Sequence, residues 1–172
     1  MANSNKLVPF ILSWEGGFVN DPDDLGGATN KGITIGAFIT YRQKNGLPRP
    51  TIEDLRNISD LEWADVFKTQ YWDRWKADQI ESQSVANILV DWVWASGKYG
   101  IEIPQKVLEV TVDGIVGPKT INALNKWDAK ELFNAIKAER VAFIERIVKS
   151  RPANAKFRQG WLNRINALKF EE

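Results

Sequence analysis

The sequence predicts a mainly α protein with a small loop or β-hairpin between about residues 18 and 35. Apolar residues recur at helical spacing along much of the chain, whereas residues 18–32 contain Asn-Asp-Pro, Asp-Asp and Gly-Gly runs that favour turns. A chain of 172 residues can bury one continuous core. We therefore expect a single domain, residues 1–172, with an N-terminal lobe of about 1–75 and a C-terminal helical lobe of about 76–172.

The individual helices are predicted from apolar spacing and from stop signals. The first runs from about Asn5 to Trp14 and ends at Gly16-Gly17, because glycine supplies the left-handed backbone that a helix end favours. A Ser59-Asp60-Leu61-Glu62 capping pattern opens a helix that runs to about Tyr71. The segment 84–96 has the broad apolar face of a central, buried helix. Further helices are expected at about 33–45, 104–110, 117–127, 129–150 and 154–170.

Composition removes several classes of function. The 23 Lys and Arg residues balance 22 Asp and Glu residues, so the net charge is +1 and nucleic acid is not an expected partner. The chain has no Cys and no His, which excludes Cys-His and Ser-His catalysis and the usual zinc ligands. We expect no metal and no cofactor, so any catalysis must use carboxylates, hydroxyls, amides or lysine.

Hydropathy bears on where the protein acts. The sequence has no run approaching the 18 or so apolar residues of a membrane span, so we expect none. The apolar run from Leu7 to Leu12 is shorter than a signal-peptide core, and no Ala-x-Ala cleavage site follows it. The expected protein is a soluble monomer that is made in the cytoplasm without a cleavable signal and reaches its site of action by another route.

The densest group of candidate catalytic residues lies between Glu15 and Thr34. Glu15 follows the first helix, where the helix dipole and aromatic neighbours disfavour a charged carboxylate, as a general acid requires. Asp24 lies across the turn-rich segment, and carboxylate pairs that face each other cleave glycosidic bonds. We therefore predict Glu15 as the acid, Asp24 as the second carboxylate, and the Thr29 and Thr34 hydroxyls as groups that position water or backbone.

Other interpretations of this segment stay open. Asp21 and Asp23 compete with Asp24 as the second carboxylate. Asp21 and Asn20 are also candidates to contact substrate. The aspartates could instead serve only as turn formers that cap backbone N–H groups, with Glu15 a solvated helix-end residue. A calcium loop is a further alternative, although the spacing does not match an EF-hand. Sequence spacing does not decide between inverting and retaining chemistry.

Aromatic and acidic residues elsewhere add candidates for substrate binding. The chain has 8 Trp residues, and aromatic rings stack on the apolar faces of sugars. Trp72 and Trp75 lie in a polar stretch and are candidates to line a saccharide groove, with core packing as the alternative. Trp92 is expected in the core. Asp91 would need partners if buried, so it either orders the wall of the site or faces the cleft.

Three motifs, at 15–22, 26–30 and 32–34, resemble the signature of the glycoside hydrolase family 108 N-acetylmuramidases. The resemblance extends into the family's predicted peptidoglycan-binding region at residues 91–97, 112–120 and 157–161. It implies a lysozyme-like helical fold with a small loop or β-hairpin lining the active-site cleft. It also places the family's catalytic glutamate at Glu15. The chain departs from the common family pattern at Phe18, Leu25 and Ala95.

The resemblance implies a hydrolase that cuts the β-1,4 bond between N-acetylmuramic acid and N-acetylglucosamine in bacterial peptidoglycan strands, its expected partner. Members occur in phages, prophages and bacteria, and some are described as secretion activators. A lytic transglycosylase that uses Glu15 alone is a close variant. A non-catalytic peptidoglycan-binding or secretion-accessory protein is the alternative from another class, and a purely structural interaction module is the third.

Overall fold

The computed structural model describes residues 1–24 and 26–172, so Leu25 lies outside the described residues. The chain divides into two compact units, Ser4–Asp73 and Arg74–Glu172, the second of which includes Met1–Asn3. We call them the N-terminal unit and the C-terminal unit. Helices dominate both, and a two-stranded antiparallel sheet lies in the N-terminal unit, which confirms the mainly α fold class. Among the described residues, no helix is long and apolar enough to cross a membrane.

The N-terminal unit combines four short helices with one hairpin. A 3₁₀ turn precedes the first helix, and the chain leaves the last helix through a π-helical turn and a second 3₁₀ turn. In chain order the elements are the 3₁₀ turn Ser4–Lys6, α1 (Val8–Trp14), β1 (Thr29–Asn30), β2 (Ile33–Thr34), α2 (Ile35–Lys44), α3 (Ile52–Arg56), α4 (Asp60–Phe67), the π-turn Lys68–Trp72 and the 3₁₀ turn Asp73–Trp75, whose last two residues belong to the C-terminal unit.

The hairpin is shaped by its two-residue turn and is held by hydrogen bonds to α3 and α4. Lys31 and Gly32 have φ values of 49° and 82°, the positive pair that a type I′ turn requires. The amide of the buried Asn30 donates to the carbonyl oxygens of Leu55 at 2.9 Å and Arg56 at 3.2 Å. The Trp63 indole donates to the Lys31 carbonyl at 3.0 Å. The hairpin is therefore fixed to α3 and α4.

The end of α1 corrects one prediction. Glu15 follows the helix with an extended backbone, φ −99° and ψ 147°. Gly16 and Gly17 are absent from the described glycines with positive φ, so neither supplies the expected left-handed helix end. The helix is terminated by the extended conformation of Glu15 itself, and the chain then runs on toward a strand-like pairing at Val19.

The C-terminal unit is helical throughout its regular elements. They are the 3₁₀ turn Ala77–Gln79, α5 (Gln83–Ser96), α6 (Tyr99–Val107), α7 (Pro118–Lys126), α8 (Ala129–Ser150), the 3₁₀ turn Pro152–Phe157 and α9 (Arg158–Ala167). The start of α5 is capped by Ser82, whose hydroxyl accepts from the Val85 N–H at 3.1 Å. The start of α8 is capped by Asp128, whose Oδ1 accepts from the Glu131 N–H at 3.0 Å. Side chains on several faces of α5 are buried, as its apolar pattern predicts.

Gly100 sets the close packing of α6 on α5. A Cβ atom at this position would lie 2.6 Å from the Val93 nitrogen and 2.7 Å from the Trp92 carbonyl carbon. Those are backbone atoms of α5, so no side chain can move aside to make room. Trp75 also contacts Gly100, because its indole N–H donates to the Gly100 carbonyl at 3.0 Å. The sequence pattern predicts this helix at about 104–110, so the structure corrects its start to Tyr99 and its end to Val107.

Candidate active site

Glu15 is half-buried at the end of α1. Its N–H donates to the Leu12 carbonyl at 3.3 Å, which holds the residue to the last turn of the helix. Gly16 and Gly17 follow, and a Cβ atom at either position would meet no other atom within 4 Å. The backbone beyond Glu15 is therefore open to an approaching ligand on the side where a side chain would stand.

A single β-bridge joins the segment after Glu15 to the hairpin. The Val19 N–H donates to the Thr29 carbonyl and the Thr29 N–H donates to the Val19 carbonyl, each at 2.8 Å. Thr29 in turn pairs with Thr34 across the hairpin. The bridge closes residues 20–28 into a loop, and this loop carries the candidate acidic residues.

Backbone amides fix the aspartates of this loop. Asp21 Oδ1 accepts from the Asp23 N–H at 2.9 Å, and Asp24 Oδ1 accepts from the Gly26 N–H at 2.8 Å. The Asp24 N–H also donates to the Asp21 carbonyl at 3.0 Å. Both aspartates are exposed, as is Asn20. They form the turn that the sequence predicts, and they present carboxylate oxygens to solvent around it.

The two candidate threonines have different surroundings. The Thr34 hydroxyl accepts from the Ala37 N–H at 3.1 Å and caps the start of α2. Within the described part of the chain, the Thr29 hydroxyl makes no such hydrogen bond, although Thr29 is half-buried and paired on both sides. Directly opposed residues of an antiparallel pair project to the same face, so the two hydroxyls share one face of the hairpin.

Two predicted substrate-binding tryptophans are placed in the core. The exposed fractions of Trp72 and Trp75 are both 0%. Their rings consequently offer no face to a sugar, which corrects the expectation that they line a saccharide groove. The polar residues around them in the sequence were misleading because the π-turn and the following 3₁₀ turn depart from the 3.6-residue period of an α-helix.

Asp91 is also fully buried, with an exposed fraction of 0%. Its Oδ2 accepts from Arg140 Nη1 at 3.0 Å, and its Oδ1 accepts from Arg164 Nη2 at 2.7 Å. Both oxygens are thus engaged by guanidinium groups inside the C-terminal unit. This corrects the assignment of Asp91 to substrate contact, and it shows the partners that a buried aspartate requires.

The Asp113-Gly114 turn is organised by the buried Gln105, which the sequence analysis did not single out. The Gln105 amide nitrogen donates to Asp113 Oδ1 and to the Ile115 carbonyl, each at 3.0 Å. Its amide oxygen accepts from the Gly114 N–H at 2.9 Å. The shape of this turn follows from one glutamine that satisfies its backbone groups from inside.

Comparisons with known proteins agree with this architecture. Residues 8–97 match the family model described as Glycosyl hydrolase 108, and residues 99–166 match the model described as Predicted Peptidoglycan domain. The solved structure of Brucella abortus SagA is similar, with 28% sequence identity, a TM-score of 0.78, and coverage of 96% of this chain and 90% of that chain. No match was found among curated proteins.

The fold and the two matched regions define a glycoside hydrolase that acts on peptidoglycan. The chain belongs to the glycosyl hydrolase 108 family, whose model covers more than half of its length. This confirms the resemblance seen in the sequence motifs and the lysozyme-like helical fold that it implied.

Proposed function

We propose that this protein is an N-acetylmuramidase that hydrolyses the β-1,4 bond between N-acetylmuramic acid and N-acetylglucosamine. The observation that carries the proposal is the Val19–Thr29 bridge, which joins the segment leaving Glu15 to the hairpin and closes the loop that holds Asp24. One half-buried acid, one exposed carboxylate and one hydroxyl without a hydrogen bond among the described residues thus belong to a single folded element.

Glu15 acts first in the proposed mechanism. Its carboxyl proton passes to the glycosidic oxygen, the C–O bond breaks, and the electron pair leaves with the departing sugar as a hydroxyl group. Positive charge then develops on the anomeric carbon and the ring oxygen. Gly16 and Gly17 carry no side chain to obstruct a sugar ring next to Glu15.

Asp24 acts on the developing charge or on the water that attacks it. Its Oδ1 is held by the Gly26 N–H, so the orientation of the carboxylate is set before substrate binds. Thr29 orients the attacking water through its hydroxyl. Where Asp24 acts as the base, the water proton passes to Asp24 and Glu15 regains its proton from solvent; where Asp24 only stabilises the developing charge, the water proton passes back to Glu15. Thr34 keeps the hairpin in place by capping α2. One water is consumed and one reducing sugar end is formed.

Substrate contact is assigned to Asn20 and Asp21, which are exposed in the same loop. The Asn20 amide can donate to and accept from sugar hydroxyl and acetamido groups. Asp21 keeps its turn through Oδ1 and can accept a sugar hydroxyl at Oδ2. Asp24 is assigned as the second catalytic carboxylate and Asp21 to substrate contact; each accepts one turn N–H through Oδ1.

The N-terminal unit cleaves the bond and the C-terminal unit binds the wall polymer. The protein acts as a monomer. Such an activity serves equally in an endolysin, a prophage lysin or a secretion activator that opens the wall, because each role needs the same cut.

Product analysis tests the proposed bond. Purified peptidoglycan is digested, the fragments are reduced with borohydride, and the reduced ends are identified by mass spectrometry. Reduced muramic acid ends are expected. Reduced glucosamine ends would contradict the muramidase assignment, anhydro ends would show a lytic transglycosylase, and the absence of fragments on several wall types would contradict an enzyme.

A further inference from the structure

A groove of about 550 Å³ lies between α6 and α8 in the C-terminal unit and has no role in the proposed cleavage. Ile103, Lys106 and Val107 form its α6 side, and their spacing places them on one face of that helix. Glu139 and Arg146 form its α8 side and lie about two helical turns apart. Ligand sites usually have volumes of roughly 300–1,000 Å³, so the groove is large enough to hold a ligand.

An exposed aromatic residue adjoins this groove. Tyr99 precedes Ile103 by one turn of α6, and its exposed fraction is 47%. Its ring packs against Phe143 of α8 with the centroids 5.5 Å apart and the ring planes tilted by 39°, so part of the ring stays open to solvent. Lys98 Nζ lies 5.8 Å from the Tyr99 centroid, and Arg146 Cζ lies 6.0 Å from the Phe143 centroid. The aromatic pair is therefore bordered by two cations.

Positive charge is in excess along the groove and its aromatic end. Lys98, Lys106 and Arg146 are exposed, and none of them forms an ion pair with a carboxylate of the described residues. Glu139 is the one acidic residue in the described lining. Three cations and one carboxylate leave two positive charges without a counter-charge.

Two other acids lie close by in the sequence, but their side chains contact other parts of the C-terminal unit. Glu102 Oε1 lies at the Asp113-Gly114 turn, 3.5 Å from the position that a Gly114 Cβ atom would occupy. Glu145 Oε1 accepts from Arg158 Nε at 2.8 Å. Neither glutamate lines the groove, so neither supplies the missing negative charge there.

We infer that the α6–α8 groove binds the peptide stem of peptidoglycan as an acidic peptide. Carboxylates outnumber amino groups in a diaminopimelate-containing stem that is joined to muramic acid, so its net charge complements that of the groove. The alanine methyl groups of the stem match the aliphatic side chains of Ile103 and Val107, and the Tyr99 ring adds apolar surface. The inference rests on the proposed function, since it names the part of the wall polymer that the C-terminal unit recognises.

Calorimetric titration of the full chain with a disaccharide tetrapeptide containing diaminopimelate tests the inference. This fragment has no bond from N-acetylmuramic acid to N-acetylglucosamine for the enzyme to cut. It should bind about tenfold or more tightly than the same fragment with amidated carboxylates, and than the disaccharide without peptide, because charge-assisted hydrogen bonds are the stronger ones. Glycerol phosphate is titrated in parallel. Equal binding of the three fragments, or tighter binding of glycerol phosphate, would overturn the inference.

Charge variants test whether the groove is the site. Lys106→Gln/Arg146→Gln removes two of its cations and should weaken binding of the fragment about tenfold. Lys126→Gln/Lys130→Gln is the matched control, because it removes the same charge from exposed positions outside the lining and should bind like the wild type. Glu139→Gln removes the opposing carboxylate and should tighten binding about twofold. Equal weakening in the two double variants, or unchanged binding in all three variants, would overturn the inference.

A parallel digest separates this inference from the proposed function. Intact peptidoglycan and glycan strands stripped of their peptides are both offered to the wild type and to Lys106→Gln/Arg146→Gln. The variant should lose more efficiency on intact wall than on stripped strands. Cleavage by the wild type without binding of the fragment would contradict the groove assignment alone, whereas binding of the fragment without any cleavage would contradict the proposed function alone.

Discussion

Val19 and Thr29 exchange two backbone hydrogen bonds of 2.8 Å, and this one pair closes the loop that contains Asp24. The pair also connects the chain that leaves Glu15 to a hairpin anchored by Asn30 and Trp63. Residues that are distant in the sequence are in this way attached to one rigid support.

Gly26→Ala should lower turnover while leaving the fold intact. A Cβ atom at position 26 would lie 3.2 Å from Asp24 Oδ1, so the carboxylate must shift by a few tenths of an ångström. Small displacements of catalytic groups are costly, and we expect a loss of about tenfold in kcat. Gly117→Ala is the control, because a Cβ atom there meets nothing within 4 Å. Turnover equal to wild type in Gly26→Ala would argue against a catalytic Asp24.

Thr29→Val should lower turnover, whereas Thr34→Val should lower stability. Thr29→Val keeps the β-branched shape and removes a hydroxyl that makes no hydrogen bond among the described residues, so turnover should fall about ten- to 100-fold with little change in stability. Thr34→Val removes the cap of α2 and should cost about 1 kcal/mol in the free energy of unfolding. Denaturant unfolding measures the stability of both variants, and digestion of cell wall measures their turnover. The reverse pattern would exchange the two assigned roles.

Gly100→Ala should destabilise the C-terminal unit. The added methyl group would collide with α5 backbone atoms at 2.6 and 2.7 Å, and the resulting overpacking should cost about 1–3 kcal/mol. Gly160→Ala is the matched control, because it adds a methyl group to α9 with nothing within 4 Å and should stabilise by about 0.5–1 kcal/mol. Thermal unfolding compares the two. Equal melting temperatures would show that α6 can move away from α5.

Alkaline pH should weaken the N-terminal unit through Tyr41. Burial and a hydrogen bond that its hydroxyl donates to Asp65 raise the pKa of Tyr41 from 10.0 to about 12. The folded state holds this proton more tightly than the unfolded chain does, so the contribution to stability is complete below pH 10 and is lost as the pH rises toward 12. Tyr41→Phe should remove that part of the pH dependence, as measured by urea unfolding between pH 9 and about 11.5. An identical pH profile in the variant would contradict the assignment.

Local signals in the sequence predicted several of the regular elements, but not α3 or the start of α6. Asp128 and the Arg151-Pro152 pair bound α8, and the structure has this helix at Ala129–Ser150 as expected. Helix α5 starts one residue before its predicted position. The turn-rich segment and the small hairpin were also predicted, because the Asn-Asp-Pro, Asp-Asp and Gly-Gly runs specify turns through their own backbone preferences. These features depend on neighbours a few residues apart.

Features that depend on distant partners were not predictable in this way. The partners of Asp91 are Arg140 and Arg164, which lie 49 and 73 positions further along the chain. Trp72 and Trp75 are surrounded by polar residues in the sequence, yet irregular helical turns rotate them into the core. The anchoring role of Asn30 similarly requires the carbonyl groups at the end of α3, which no local pattern reveals.

Glu15→Gln tests the central claim most directly, since it keeps the size of the side chain and removes its proton. The rate of fragment release from purified peptidoglycan is measured for this variant, for the wild type and for Glu109→Gln, an exposed site in the C-terminal unit. Loss of general acid catalysis should reduce the rate by a factor of about 100 or more in Glu15→Gln alone, while binding to sedimented cell wall persists. Release of fragments at the wild-type rate by Glu15→Gln would contradict the account.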